Sequence, residues 1–153
     1  MIQKGFSLVE ILVVLAIISI MAGILILSFA SAQRDAVLEE AGASVMHAFE
    51  SARNRSTSGV GGEDHGIWMK GSEIRIFSGE EYHEDSVERV INLPSPVESD
   101  LSDEISLVFK RITGIPESND WSGDNDIRIV LKDSLTGKEM VIIVNNKGLI
   151  KME

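Results

Sequence analysis

The feature that most constrains this chain is a long stretch near its N-terminus that contains no charged residue. Between Glu10 and Arg34 lie 23 uncharged residues, most of them Ile, Leu, Val, Ala, Met or Phe. No proline interrupts them, and as a helix they would be about 34 Å long, compared with about 30 Å for the hydrocarbon core of a bilayer. The stretch therefore predicts a membrane-spanning helix over residues 6–32, in which Gly23 is tolerated.

A single carboxylate stands at the start of this stretch. Glu10 directly precedes Ile11, and the nearest preceding cation, Lys4, lies on the other side of Gly5. A charge at the centre of a membrane helix costs about 2.5–3.5 kcal/mol on insertion scales, and less near the end of the helix. An acid at such a position is by default a functional residue, so Glu10 is the first candidate site residue.

The residues around Glu10 follow an order that a known family shares. The sequence reads KGFSLVE at residues 4–10 and ILVVLAII at residues 11–18, which resembles the N-terminus of type IV prepilins and type II secretion pseudopilins. The resemblance implies a leader over residues 1–5 that a prepilin peptidase removes after Gly5. It also implies N-methylation of Phe6 and a role for Glu10 in assembly. The implied partners are this peptidase, other pilin or pseudopilin subunits, the inner-membrane assembly platform and membrane lipid.

Other interpretations of the apolar stretch stay open. An ordinary secretory signal would be cut after a small-x-small sequence, and residues 30–32 satisfy that rule, but its apolar core spans only about 7–15 residues. A plain single-span anchor would carry an enzyme or a ligand-binding domain, for which the sequence offers no set of convergent titratable residues. Either alternative leaves Glu10 unexplained.

Composition and charge argue against several further classes of function. The 153 residues suit one modest domain beside the membrane segment, and their net charge of −10 makes the soluble part strongly acidic. A broad nucleic-acid-binding surface is not expected, because phosphate contacts need a basic face. Cysteine is absent, which excludes a disulfide framework and a thiol nucleophile. Lys4 predicts a single-pass inner-membrane protein with a cytoplasmic N-terminus, and its C-terminal domain would be periplasmic or extracellular, on the cell surface in a filament.

The helical pattern continues beyond the apolar stretch. Apolar residues recur at steps of three and four from residue 38 to residue 52, which places them on one face of a helix. Glycine and serine over residues 56–62 predict where this helix ends. One helix over residues 6–55 is therefore predicted, with an apolar half and an amphipathic half. The residues predicted to form the buried face are Leu38, Ala41, Val45, Phe49 and Ala52.

The remainder of the chain, residues 56–153, has the pattern of a β domain. Short runs of β-forming residues are separated by turn residues, as expected for strands. The predicted strands cover residues 66–70, 73–77, 87–92, 105–112, 127–132, 139–145 and 149–152. Residues 133–138 and 145–148 are predicted hairpin turns. The predicted fold class is α+β, with a long N-terminal helix packed on an antiparallel β domain, as in pilins.

A second resemblance concerns this domain. The helix end at residues 51–56, the sequence HGIWM at residues 65–69 and the terminal VIIVNNKGLI at residues 141–150 resemble the GspH/FimT branch of minor pseudopilins and pilins. That resemblance implies two antiparallel sheets on a helix and the role of a minor filament subunit. A major pilin is the alternative within the family. A pilus, a type II secretion system and a DNA-uptake machine all stay open.

Two groups of residues are candidates for a metal. Oxygen-rich loops hold Ca²⁺ in some proteins, and the calcium candidates here are Asp120, Asp124 and Asp126. Their spacing is not that of an EF-hand, so a solvated turn is the preferred interpretation. His65 and His83 lie among acidic residues without ligand spacing, so no metal site and no cofactor is predicted there. No catalytic motif is present, and Trp68, Phe77 and Phe109 are predicted core or interface residues, with Trp121 a further contact candidate.

Overall fold

The computed structural model describes residues 7–101, 104–117 and 126–153. The chain forms two compact units, Met1–Ala36 and Val37–Glu153. One α-helix, α1, covers Leu8–Thr57 and so contributes residues to both. It ends at Thr57, two residues beyond the predicted boundary at residue 55. Just after this end, Gly59 adopts a left-handed φ of 66°.

In the second unit, α1 buries one face and exposes the other. The five residues predicted for the buried face are at most 6% exposed. Glu39, Glu40, His47 and Glu50 are exposed on the opposite side. The amphipathic prediction is confirmed, because side chains spaced by three and four residues share one side of a helix.

The rest of the second unit is built from strands that form two antiparallel sheets. The strands are β1 (His65–Lys70), β2 (Glu73–Ser78), β3 (Val87–Asn92), β4 (Val97–Ser99), β5 (Ile105–Phe109), β6 (Pro116–Glu117), β7 (Ile127–Asp133), β8 (Glu139–Val144) and β9 (Ile150–Met152). The first sheet has the order β3-β2-β1-β5-β6, and the second has the order β4-β7-β8-β9. Short 3-10 helices lie at Val60–Gly62 and Glu84–Ser86.

The main core lies where the two sheets meet the buried face of α1. Alternate residues of the strands point into it, including Ile67 and Met69 of β1 and Ile129 and Leu131 of β7. Phe49 of α1 meets Phe109 of β5 edge to face, with ring centroids 6.4 Å apart. The predicted α+β fold, a helix packed on antiparallel sheets, is therefore confirmed.

A second, smaller cluster covers the outer face of the first sheet. Trp68, Phe77 and Val108 are buried there, and Tyr82 packs against them. Gly66 leaves room for the aromatic ring of Phe77, because an added Cβ would overlap that ring and lie 2.8 Å from the carbonyl oxygen of Leu107. Trp68, Phe77 and Phe109 are thus core residues, as predicted, whereas Trp121 lies outside the described residues.

The strand predictions differ from the structure in three places. The strand predicted over residues 105–112 ends at Phe109, because the chain turns and Ile112 takes a left-handed φ of 72°. Two strands were not predicted, β4 and β6. The first is three residues long and follows Pro96, while the second has two residues and begins with Pro116. Neither strand is long enough to show an alternating pattern in the sequence. Both predicted hairpin turns are present, between β7 and β8 and between β8 and β9.

Candidate functional site

The candidate site is the beginning of α1, where Glu10 stands in the first helical turn. The carbonyl oxygen of Ser7 accepts from the backbone N–H of Glu10 at 3.1 Å and from that of Ile11 at 3.2 Å, which closes this turn. A carboxylate is favoured here, because the unpaired N–H groups of a helix start carry partial positive charge. Glu10 is exposed and forms no ion pair within the described ranges.

The helix that follows Glu10 carries exposed apolar side chains on all its sides. From Leu8 to Ile24 the large hydrophobic residues are between 50% and 75% exposed. The hydroxyl of Ser19 donates to the carbonyl oxygen of Leu15 at 2.8 Å, so this polar group is satisfied within the helix. An apolar surface of this extent marks contact with other proteins or with lipid.

Not all of the predicted N-terminal features can be placed. Gly5 and Phe6 lie outside the described residues, so their geometry relative to Glu10 is not part of the structure. Within the parts of the chain that the structure describes, no helix is long and apolar enough to cross a membrane. The span over residues 6–32 therefore stays a prediction.

The calcium candidates are likewise only partly placed. Asp120 and Asp124 lie outside the described residues, and Asp126 is exposed just before β7. Among the described residues, no group of three histidine or acidic side chains is arranged to hold a metal ion. Calcium binding at these aspartates stays untested.

His65 and His83 each contact hydrogen-bonding or charged groups of the domain. His65 is buried, its backbone N–H donates to Ser56 Oγ at 2.8 Å, and its Nε2 lies 3.7 Å from a carboxylate oxygen of Glu88. Glu88 also pairs with Arg55 at 3.0 Å. The backbone N–H of His83 donates to Ser86 Oγ at 3.3 Å at the start of a 3-10 helix. The two histidines thus take part in separate local networks.

Sequence reasoning missed a cationic group on the outer face of the first sheet. Arg75 lies 5.0 Å from the ring centroid of Trp68, which stacks on Tyr82 at 5.1 Å. The guanidinium donates to Glu73 and to the Tyr82 hydroxyl, each at 2.6 Å. These two bonds raise the pKa of Arg75 above its ordinary value. Only the alternation of β2 placed Arg75 opposite the core, and nothing in the sequence indicated its partners.

The N-terminal segment matches the family model described as the prokaryotic N-terminal methylation motif, over residues 1–26. The match supports the resemblance to prepilins and pseudopilins and points to a structural protein of that family rather than an enzyme. The motif implies processing by a prepilin peptidase, assembly with other pilins and a membrane-anchored or surface-filament location. The match does not extend to the residues that resemble the GspH/FimT branch. No curated protein and no solved structure matches the chain.

Proposed function

We propose that this chain is a minor structural subunit of a type IV pilus or a type II secretion pseudopilus, of the GspH/FimT kind. In this proposal the peptidase cuts after Gly5 and N-methylates Phe6, and the apolar half of α1 joins the helices of other subunits in the filament core. The observation that carries the proposal is Glu10, an exposed acid within the methylation motif, which stands before a stretch of α1 whose large side chains from Ile11 to Ile24 are apolar and exposed. The domain built from Val37–Glu153 would face outward.

Two observations favour the minor role. The domain has two antiparallel sheets on a helix, which is the arrangement that the GspH/FimT resemblance implies. Cysteine is absent, so the C-terminal disulfide loop usual in Gram-negative major pilins cannot form. A major pilin is the second candidate, and a single-span membrane-anchored binding domain is the third.

The proposed mechanism pairs Glu10 with an N-terminal amine. Cleavage after Gly5 gives Phe6 a positive amine, and Phe6 lies four positions before Glu10, or about 6 Å along a helix axis. Pairing within one subunit is therefore one arrangement. In a filament, the Glu10 carboxylate of the subunit already in place can instead meet the amine of the incoming subunit. Losing one partner of a buried pair typically costs about 3–5 kcal/mol, so the pair would fix the register of every subunit added.

The test compares insertion, cleavage and assembly in one experiment. Glu10→Ala should enter the membrane and lose its leader, as intact mass would show, but should be depleted from sheared filaments relative to its membrane pool. Glu10→Asp should be intermediate, because its shorter side chain reaches less far. Gly5→Val is the processing control and should keep its leader, since a bulky side chain blocks the cut. Undiminished incorporation of Glu10→Ala would remove the intersubunit pair from the mechanism.

A further inference from the structure

Two methionine sulfurs converge on one glycine of α1. Gly42 is buried in the half of the helix that packs on the domain. A Cβ added there would overlap Met140 Sδ and lie 2.9 Å from Met152 Sδ, and the next atom is Met140 Cε at 3.6 Å. Both sulfurs therefore occupy the space that a side chain at residue 42 would fill. This contact joins α1 to β8, which carries Met140, and to β9, which carries Met152.

The strand β9 has few side chains with which to hold on to the core. It is three residues long and lies at the edge of the second sheet. Met152 is opposite Ile142 and Ile150 is opposite Val144, and both residues of β8 are buried. Because opposite residues share a face of the sheet and successive residues alternate, Met152 and Ile150 point toward the core and Lys151 points away. Met152 is thus one of two core-facing side chains on β9.

The methionines of this domain differ in their access to solvent. Met152 is 45% exposed, whereas Met69 of β1 is 0% exposed. Met140 lies between these extremes, partly buried against the main core. The chain has no cysteine, so no thiol competes for an oxidant. A small oxidant in water therefore meets Met152 before the other two.

We propose that Met152, followed by Met140, is a methionine oxidation site that controls the attachment of β9 to α1. The oxidant class is a peroxide. The thioether sulfur donates an electron pair to one oxygen of hydrogen peroxide, the O–O bond breaks, and an S–O bond forms. The second oxygen leaves with both protons as water, so that the sulfur is oxidised and the peroxide reduced. The product, methionine sulfoxide, is polar where the thioether was apolar.

The surroundings of the two sulfurs explain why the added oxygen would loosen β9. Gly42 lies in the middle of α1, where the backbone N–H and C=O groups are committed to helical hydrogen bonds. The helix therefore offers no donor to a sulfoxide oxygen placed against it, and a polar group without a partner is unfavourable in an apolar contact. Moving Met152 out leaves β9 only Ile150 as a core-facing side chain.

Release of β9 has a consequence for the sheet. In the order β4-β7-β8-β9, loss of β9 would leave β8 as an unpaired edge. An exposed apolar edge strand pairs readily with other chains, and four of the six residues of β8 are Val or Ile. Oxidised protein should therefore self-associate. The proposal concerns the domain of residues 37–153 by itself and goes beyond the proposed filament function.

Peroxide treatment of the full chain in detergent tests the order of oxidation and its effect on β9. Peptide mass spectrometry should find sulfoxide at Met152 first, at Met140 next and at Met69 last. Hydrogen exchange should rise in peptides that cover β9 as Met152 is converted, and stay unchanged in peptides that cover β1. The bonds expected to lose protection join Val141 and Glu153, whose N–H groups donate to each other's carbonyl oxygens at 3.0 Å and 2.8 Å.

Leucine variants show whether these two sulfurs cause the effect. Peroxide should lower the Tm of the wild type by about 5–10 °C, and a methionine sulfoxide reductase with dithiothreitol should restore it. The double variant Met140→Leu, Met152→Leu has similar side-chain volumes and no sulfur at either position, so its Tm should resist peroxide. Met46→Leu is the matched control: Met46 is partly buried one turn beyond Gly42, and this variant should lose as much as the wild type.

A glutamine variant tests the mechanism without an oxidant. Met152→Gln places a polar group of similar length at the same position, and it should raise hydrogen exchange in β9 in the absence of peroxide. This result does not depend on the folding of the double leucine variant. The proposal is wrong if Met152 and Met140 become sulfoxides while the exchange of β9 is unchanged, or if Met69 is oxidised as fast as Met152. An equal loss of Tm in the double leucine variant and the wild type would also overturn it. None of these outcomes bears on the filament role, which the Glu10 variants test separately.

Discussion

The two halves of α1 contrast in a way that hydrophobicity alone would not suggest. In residues 8–24 nearly every side chain is apolar, yet the large ones are at least 50% exposed. In residues 37–57 charged residues alternate with apolar ones, yet one face is almost completely buried. The periodic pattern, and not the average hydropathy, decides which half of the helix packs on its own domain. The uniformly apolar half has no preferred face and needs a partner that surrounds it.

The largest expected difference between the halves concerns two phenylalanines. Phe49→Ala should destabilise the domain by about 3–5 kcal/mol, because it empties a space between α1 and Phe109. Phe29 is 72% exposed in the first unit, whereas Phe49 is only 1% exposed. Phe29→Ala should therefore leave the unfolding of the domain unchanged. Urea titration of the full chain in detergent, followed by tryptophan fluorescence, measures both, since Trp68 is buried. Equal effects would contradict the division between the halves.

Two glycines of the same helix sharpen the comparison at smaller scale. A Cβ at Gly42 would overlap Met140 Sδ and lie 2.9 Å from Met152 Sδ, whereas a Cβ at Gly23 meets nothing within 4 Å. Gly42→Ala should cost about 1–3 kcal/mol as overpacking, reduced to the extent that the flexible methionines move aside. Gly23→Ala should raise helix stability by up to about 1 kcal/mol.

Thermal unfolding followed by circular dichroism measures both glycine variants. A stabilising effect of Gly42→Ala would show that the side chains of the two methionines move aside far enough to remove the overpacking. Because the added atom is the same in both variants, any difference in sign reports the surroundings of each glycine rather than its helix propensity.

Periodic elements of this fold were predictable from the sequence, and contacts between loops were not. The buried face of α1 follows from spacings of three to four residues, and the strands β2 and β7 follow from spacings of two residues. By contrast, the left-handed conformation of Ile112 accompanies contacts of residues 110–115 with Ser56 and Gly148, which are distant in sequence. A short sequence pattern does not predict such contacts. The same holds for Arg75, whose partners Trp68 and Tyr82 lie on another strand and in a loop.

The candidate site, in contrast, was identified mainly from the sequence, and the structure added less. Its identity came from the residue order around Glu10, which the methylation motif match supports. The structure added that this acid is exposed in the first turn of α1 and that the residues one turn further on, Val13 and Val14, are apolar and exposed. In the proposed mechanism the partner of Glu10 is the Phe6 amine of a second subunit, so a single chain does not contain the intersubunit pair.

The smallest expected effect comes from removing the first half of the helix entirely. The two units divide between Ala36 and Val37, and the buried face of α1 begins at Leu38. A chain of residues 33–153 therefore keeps every residue of the main core, and Asp35 falls in its first helical turn, where a carboxylate is favourable. It should be monomeric by light scattering and should show an α+β circular dichroism spectrum. Its unfolding free energy should lie within about 0.5 kcal/mol of the full chain, as for changes away from the core.

A shorter chain, residues 46–153, is the matched control for that truncation. It lacks Leu38, Ala41 and Val45, which are buried against the sheets, so it should unfold or aggregate even though it has also lost the apolar half. Aggregation of the 33–153 chain would instead mean that the apolar half of α1 stabilises the domain. In that case the two halves would not be independent, and the contrast between them would reflect sequence pattern without a matching division in stability.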